Sequence, residues 1–107
     1  MKLVFAIVSN DDSTLLIQAL IEAKYSVTKL STTGGFLKSG NTTLLIGTEE
    51  KEVDNVISII KSYSKQRVQP MPVISSKEFG MIQSQFIDVQ VGGATIFVID
   101  VDRYEKV

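Results

Sequence analysis

The chain has 107 residues, of which 44% are hydrophobic and 21% charged, and its net charge is −1. This length suits one globular domain, and we expect residues 1–107 to form a single domain. The near-zero charge leaves no basic surface for nucleic acid, and the lack of cysteine and histidine excludes thiolate chemistry and the commonest general base.

The first half of the chain predicts a strand, a helix and two further strands. Lys2 to Ser9 contains the apolar run LVFAIV, which is too short for a membrane span or a signal-peptide core and predicts a buried strand. We therefore expect a cytoplasmic protein that contacts no membrane. A helix follows from about Thr14 to Lys24, after "NDDS", which offers cap residues and first-turn acids. Its inward stripe is predicted to be Leu15, Leu16, Ala19, Leu20 and Ala23. "YSVTKLST" and "NTTLLIGT" predict the next two strands.

The second half predicts another helix and two more strands. The helix begins after Thr48 and carries an apolar stripe of Val53, Val56, Ile57 and Ile60. Residues 67–85 contain both prolines and predict an irregular connection, because proline interrupts a regular strand. "FIDVQV" and "ATIFVIDVD" predict the last strands.

The order β-α-β-β-α-β predicts an α+β fold, a ferredoxin-like sandwich with extended loops. Both helices then cover one face of the sheet. The other face would carry apolar residues such as Val4, Ala6 and Val98 or their neighbours, and we expect oligomerisation to cover it.

The polar stretch "TTGGFLKSGNTTLLIG", Thr32 to Gly47, allows two interpretations. It is not a phosphate-binding Walker loop, because Lys38 follows leucine rather than glycine and no helix comes next. It is either a hairpin turn that needs positive φ at its glycines or a binding loop. In a binding loop, glycine amides and threonine hydroxyls would hold phosphates, and a base would stack on Phe36.

Paired carboxylates offer one further kind of site. Asp100 and Asp102 lie on one side of the last strand, where they could bind a hard cation or act as acid and base. No activated nucleophile accompanies them, so we favour a structural role for these residues.

The segments "FAIV", "VTKLSTTGGFLKSGNTTLLIGTE" and "VQVGGATIFVIDVD" resemble the PII-like cyclic di-AMP receptors of the PstA/DarA type over nearly the whole chain. The resemblance implies a homotrimer that is not an enzyme and needs no cofactor or metal. The trimer would bind cyclic di-AMP in clefts between subunits. Ordering of its loops would pass the signal to a downstream protein that the resemblance does not name. The ligand contacts carried over are the polar groups of Thr28 and Asn41, the loop residues Gly35, Phe36 and Leu37, the backbone of Gly47, and Phe97 against an adenine.

The chain departs from the family pattern in three places. Ser26 stands where relatives tend to carry an arginine, and Glu105 and Lys106 stand where they offer an aromatic and a glutamine-like group. Residues 70–85 lack the family's glycine- and tyrosine-containing segment. These departures keep open an alternative, a PII-like protein-interaction module that binds a different nucleotide or none.

Overall fold

The computed structural model describes residues 1–30, 40–75 and 83–107, with the backbone alone for 72–75 and 83–85. Its elements in chain order are β1 (Lys2–Ser9), α1 (Asn10–Glu22), β2 (Ser26–Leu30), β3 (Asn41–Thr48), a 3₁₀ turn (Glu50–Glu52), α2 (Val53–Tyr63), β4 (Arg67–Ser75), β5 (Gln83–Val91) and β6 (Ala94–Asp100). None of the helices among these residues is long and apolar enough to cross a membrane.

Four strands form an antiparallel sheet in the order β2-β3-β1-β6, and β4 and β5 form a separate two-stranded ribbon. The order of the sheet is that of a ferredoxin-like split βαβ fold, in which the strand returning from the hairpin inserts beside the first strand. The predicted fold class is therefore confirmed. The ribbon is an addition between α2 and the last strand of the sheet.

The hydrophobic core lies between the sheet and the two helices. Alternate apolar residues of β1 and β3 are buried there, namely Val4, Ala6, Val8, Leu44 and Ile46. Leu16, Leu20, Val56 and Ile60 pack against them from the helices. The predicted stripe of α1 is only partly right, because Leu15 is 60% exposed and Ala23 is exposed, while Ile17 packs against the core. α1 begins at Asn10, four residues before the predicted start, because "NDDS" forms its first turn and Ser9 is its N-cap.

The C-terminus of α1 closes with a left-handed residue that is not glycine. Lys24 has a φ of 74°. Its N–H donates to the carbonyl of Ile21 at 2.9 Å, and the N–H of Tyr25 donates to the carbonyl of Leu20 at 3.0 Å. These two bonds make a Schellman motif, whose left-handed position is usually glycine.

The uncovered side of the sheet, which we call the open face, carries a broad apolar surface. Val4 and Ala6 do not lie there, because they are fully buried against the helices. The alternation of side chains along a strand instead places their neighbours on the open face. These neighbours are Leu3, Phe5 and Ile7 of β1, Leu45 of β3, and Phe97 and Ile99 of β6.

Residues 67–75 form a regular strand, which corrects the prediction of an irregular connection for this part of the chain. β4 pairs with β5 from Arg67 opposite Val91 to Ser75 opposite Gln83. A two-stranded ribbon leaves one edge of each strand unpaired, and proline is tolerated where its nitrogen faces such an edge. Pro70 and Pro72 are two residues apart, so their nitrogens face the same side and both fit the outer edge of β4.

The ribbon projects from the sandwich. The radius of gyration is 18.1 Å and the longest extent 64 Å, whereas a compact chain of this length has a radius of about 13 Å. The base of the ribbon is attached to α1, because the Arg67 guanidinium donates to both carboxylate oxygens of Asp12, at 3.0 and 3.3 Å. Ser9 donates to the same carboxylate at 3.0 Å.

Two glycines form the turn between the ribbon and β6. Gly92 and Gly93 have φ of 80° and 84°, in the region that favours glycine. The N–H of Gly93 donates to the carbonyl of Ser64 at 2.5 Å, which holds this turn against the end of α2. The ribbon is thus attached at its base from both helices.

Candidate functional site

The predicted ligand contacts that the structure describes all lie on the open face. Thr28 is on β2, Asn41 and Gly47 are on β3, and Phe97 is on β6, and all four are exposed. The loop contacts Gly35, Phe36 and Leu37 lie outside the described residues. Gly40, where the loop returns to β3, has a φ of 116°, as the hairpin interpretation predicts for that glycine.

Thr28 and Phe97 occupy opposite ends of one cross-strand row. The register places Thr28 opposite Leu45, Leu45 opposite Phe5, and Phe5 opposite Phe97. Three strand spacings separate the ends of this row, or about 14 Å. An aromatic ring packs against a partner ring at centroid distances of about 4.5–7 Å. One adenine therefore cannot touch both Thr28 and Phe97 of the same chain.

Thr28 and Gly47, by contrast, are diagonal neighbours at the β2 edge, because Ser26 lies directly opposite Gly47. A groove of 520 Å³ opens beside them, and we call it the Ser26 groove. Its lining includes Ser26, Gly47, Lys24, Tyr25, Glu49 and Glu52. Among the described residues, a Cβ added at Gly47 would meet only the Met1 sulfur, at 3.9 Å, so they leave this stretch of backbone open to close approach.

The acids of the Ser26 groove are already engaged. The Tyr25 hydroxyl donates to Glu52 at 2.8 Å and accepts from the Asn55 amide at 2.6 Å, and the N-terminal ammonium lies 3.8 Å from Glu49. Lys24 lines the same groove and supplies positive charge close to Ser26.

Asn41 lies at the other end of β3, six residues from Gly47. It lines a separate recess of 310 Å³, which we call the Asn41 recess, together with Ser9, Gln66 and the Gly92–Gly93 turn. The lining is mostly polar, and the recess lies between the sheet and the base of the ribbon. The predicted site residues that the structure describes therefore fall into three places: the β2 edge, the start of β3 and the β6 edge.

The carboxylates considered for cation binding do not form a site among the described residues. In the part of the chain that the structure describes, no three acidic side chains are grouped so that they could hold a metal ion. Asp100 instead forms an ion pair with Lys2 across the β1–β6 pair. The hydrogen bond from Lys2 lowers the pKa of the Asp100 carboxyl and, reciprocally, raises the pKa of the Lys2 ammonium.

The polar contacts around the start of α1 were missed by the sequence interpretation. "NDDS" predicts a helix start, but nothing in it indicates that Asp12 pairs with Arg67 or that Asn10 contacts β3. The first pairing joins residues 55 positions apart. A buried acid in a helix's first turn can be identified only when the fold shows that it is covered.

Comparison with known proteins agrees with the architecture and gives the family. A solved structure of a functionally unknown protein from Pediococcus pentosaceus ATCC 25745 is similar to this chain, with 45% sequence identity and a TM-score of 0.75. The match covers 99% of this chain and 96% of the other. The model of the cyclic-di-AMP receptor family matches residues 1–107. The chain therefore belongs to the cyclic-di-AMP receptor family.

Proposed function

We propose that this chain acts as one PII-like domain and forms a cytoplasmic, non-catalytic homotrimer. The trimer binds cyclic di-AMP in clefts between subunits and relays the signal through rearrangement of its loops to a downstream protein. The observation that carries the proposal is the arrangement of the predicted contacts on the open face of a receptor-family fold. A receptor role also accounts for a chain without histidine or cysteine.

The spacing of the contacts supports a cleft between subunits. Thr28 and Gly47 lie at the β2 edge and Phe97 at the β6 edge, about 14 Å away across the sheet. A neighbouring subunit that presents its β6 edge to the β2 edge of this one would bring both groups to a single ligand. Hydroxyl and amide groups would then face the phosphates, and the Phe97 ring would face an adenine.

The apolar open face supports the assembly itself. Phe97 is 55% exposed and Ile99 46% exposed in the single chain, beside Phe5 and Leu45. Soluble monomers rarely leave a contiguous apolar surface of this kind uncovered. Packing of three copies around this face would bury it, and cyclic assemblies close without leaving such a surface free.

Isothermal titration of the protein with cyclic di-AMP, and separately with cyclic di-GMP, ATP and ADP, tests the binding. We expect micromolar or tighter binding of cyclic di-AMP at about one site per chain. Phe36→Ala or Phe97→Ala should weaken it by roughly 1–3 kcal/mol, the usual loss of an aromatic–base stack. Absence of binding by all four nucleotides would reject the sensor function.

A mixing experiment tests whether each cleft uses two subunits. Thr28→Ala and Phe97→Ala are purified separately, then unfolded and refolded together at equal amounts. If each cleft takes Thr28 from one subunit and Phe97 from its neighbour, about a quarter of clefts in random trimers carry neither substitution. We then expect that fraction of sites to bind with wild-type affinity. No recovery of wild-type sites would place both residues in one chain's site.

The second candidate is a nucleotide-independent interaction module. The specific observation that favours it is the exposure of four apolar side chains on the projecting ribbon: Val68, Met71, Phe86 and Ile87. Ser26 also removes a charge-assisted contact that an arginine would make to a phosphate. A partner captured equally well with and without cyclic di-AMP would favour this module, whereas a partner captured only in one state would reject it.

A further inference from the structure

Asn10 holds the residues on both sides of Asn41. Its backbone N–H donates to the carbonyl of Gly40 at 2.7 Å, and its side-chain oxygen accepts a hydrogen bond from the hydroxyl of Thr42. Gly40 and Thr42 are the two chain neighbours of Asn41. Asn10 is itself the first residue of α1, so these bonds join the helix to the end of the loop that precedes β3.

The two hydrogen bonds hold the backbone of Asn41 from the face of the sheet opposite to its side-chain amide. Thr42 is only 5% exposed and lies on the helix-facing side of β3, where Leu44 and Ile46 are fully buried. Successive side chains of a strand point to opposite faces, so anchoring Thr42 inward directs Asn41 to the open face. Gly40, with its φ of 116°, would otherwise leave this junction conformationally free.

We propose that Asn10 is a positioning residue for nucleotide binding, which acts by holding Asn41 in the orientation that contacts the ligand. This inference rests on the proposed function, since it takes cyclic di-AMP as the ligand and Asn41 as one of its contacts. Asn10 does not touch the ligand itself. Its contribution is to reduce the freedom that the loop end and Asn41 lose on binding.

Three substitutions isolate this role. Asn10→Ala removes the acceptor for Thr42, Asn10→Asp keeps an acceptor oxygen in place, and Thr42→Val removes the hydroxyl while preserving the buried volume. We expect Asn10→Ala and Thr42→Val each to weaken cyclic di-AMP binding by roughly 2- to 13-fold, the range for one neutral hydrogen bond. Asn10→Asp should restore most of the affinity. Gln18→Ala, on an exposed position of α1 about 12 Å further along, is the matched control.

The decisive measurement is the effect of Asn10→Ala in an Asn41→Ala background, by titration with cyclic di-AMP. If Asn10 acts through Asn41, the second substitution causes no further loss. An equal loss in both backgrounds, or wild-type affinity in Asn10→Ala, would overturn the inference while leaving the proposed function intact.

Two further results complete the test. No binding by the wild-type protein would reject the proposed function and this inference together. If Asn41→Ala binds cyclic di-AMP too weakly for titration, ¹H–¹⁵N spectra take the place of the titration. Asn10→Ala must then shift the side-chain amide signals of Asn41 relative to the wild type. Unchanged signals would overturn the inference.

Discussion

Replacement of Gly92 by alanine should destabilise the base of the ribbon through a direct clash. A Cβ at this position would lie 2.5 Å from the carbonyl oxygen of Lys65 and 2.7 Å from Nη1 of Arg67. The first of these atoms belongs to the backbone and cannot rotate away. The Arg67 guanidinium that must move is the one paired with Asp12. The substitution therefore disturbs the attachment of the ribbon to α1 through Arg67 and Asp12.

The cost can be worked out from separate terms. A non-glycine residue at a φ of 80° costs about 1–2 kcal/mol, and overpacking costs a further 1–3 kcal/mol or so. The reduced freedom of the unfolded chain returns about 0.4–1 kcal/mol. The net loss for Gly92→Ala is then about 1–5 kcal/mol in the free energy of unfolding, to be measured by urea denaturation.

Gly93→Ala is the matched control for this prediction. Its φ is 84°, close to that of Gly92, but a Cβ there would meet, of the part of the chain that the structure describes, only the Gln66 side chain at 3.8–3.9 Å. The backbone cost is therefore shared, and the difference between the two variants measures the clash alone. We expect Gly92→Ala to be the less stable by about 1–3 kcal/mol. Equal stability of the two variants would refute the packing argument.

Three further changes have expected outcomes. Lys24→Gly should raise the free energy of unfolding, measured by urea denaturation, by up to about 1 kcal/mol. Glycine removes the conformational energy cost of a left-handed non-glycine residue at the end of α1, although it also adds freedom to the unfolded chain. A destabilised variant would contradict this. The pKa of Asp100 is lowered in the folded protein, so its pairing with Lys2 stabilises the fold at pH values above the ordinary pKa of 3.8. This stabilisation is lost as the pH falls through the lowered pKa. The difference in the free energy of unfolding between wild type and Asp100→Asn should thus be constant near neutral pH and shrink in acid. If urea titrations show this difference growing in acid, the ion pair does not stabilise the fold. Ser26→Arg should tighten cyclic di-AMP binding by roughly 1.5–3 kcal/mol in calorimetry, as a charge-assisted hydrogen bond does, and unchanged affinity would indicate that Lys24 already supplies the charge.

The sheet and its faces could be predicted from local patterns, whereas the ribbon could not. The apolar runs of β1 and β3 and the spacing of Leu16, Leu20, Val56 and Ile60 indicate the core directly. β4 was predicted to be irregular because a proline within a run normally argues against a strand. Its regularity depends on pairing with β5 and on which edge stays free, and neither is visible in the local sequence.

The candidate site shows the same division. The family resemblance predicts Thr28, Asn41, Gly47 and Phe97 as ligand contacts, but it does not predict that they lie at opposite ends of the sheet. That distribution follows from the strand order, which sets β2 and β6 at the two outer edges. The support that Asn10 gives to Asn41 joins residues 31 positions apart and likewise needs the fold to be seen.

The two prolines of β4 make the ribbon unequal on its two sides. Proline has no N–H, so the outer edge of β4 lacks donors at Pro70 and Pro72. The outer edge of β5, Gln83–Val91, contains no proline and only one charged residue, Asp88. A strand that extended the ribbon would find an unbroken row of backbone donors and acceptors only along β5. Any strand added to the ribbon would therefore pair with β5 rather than with β4.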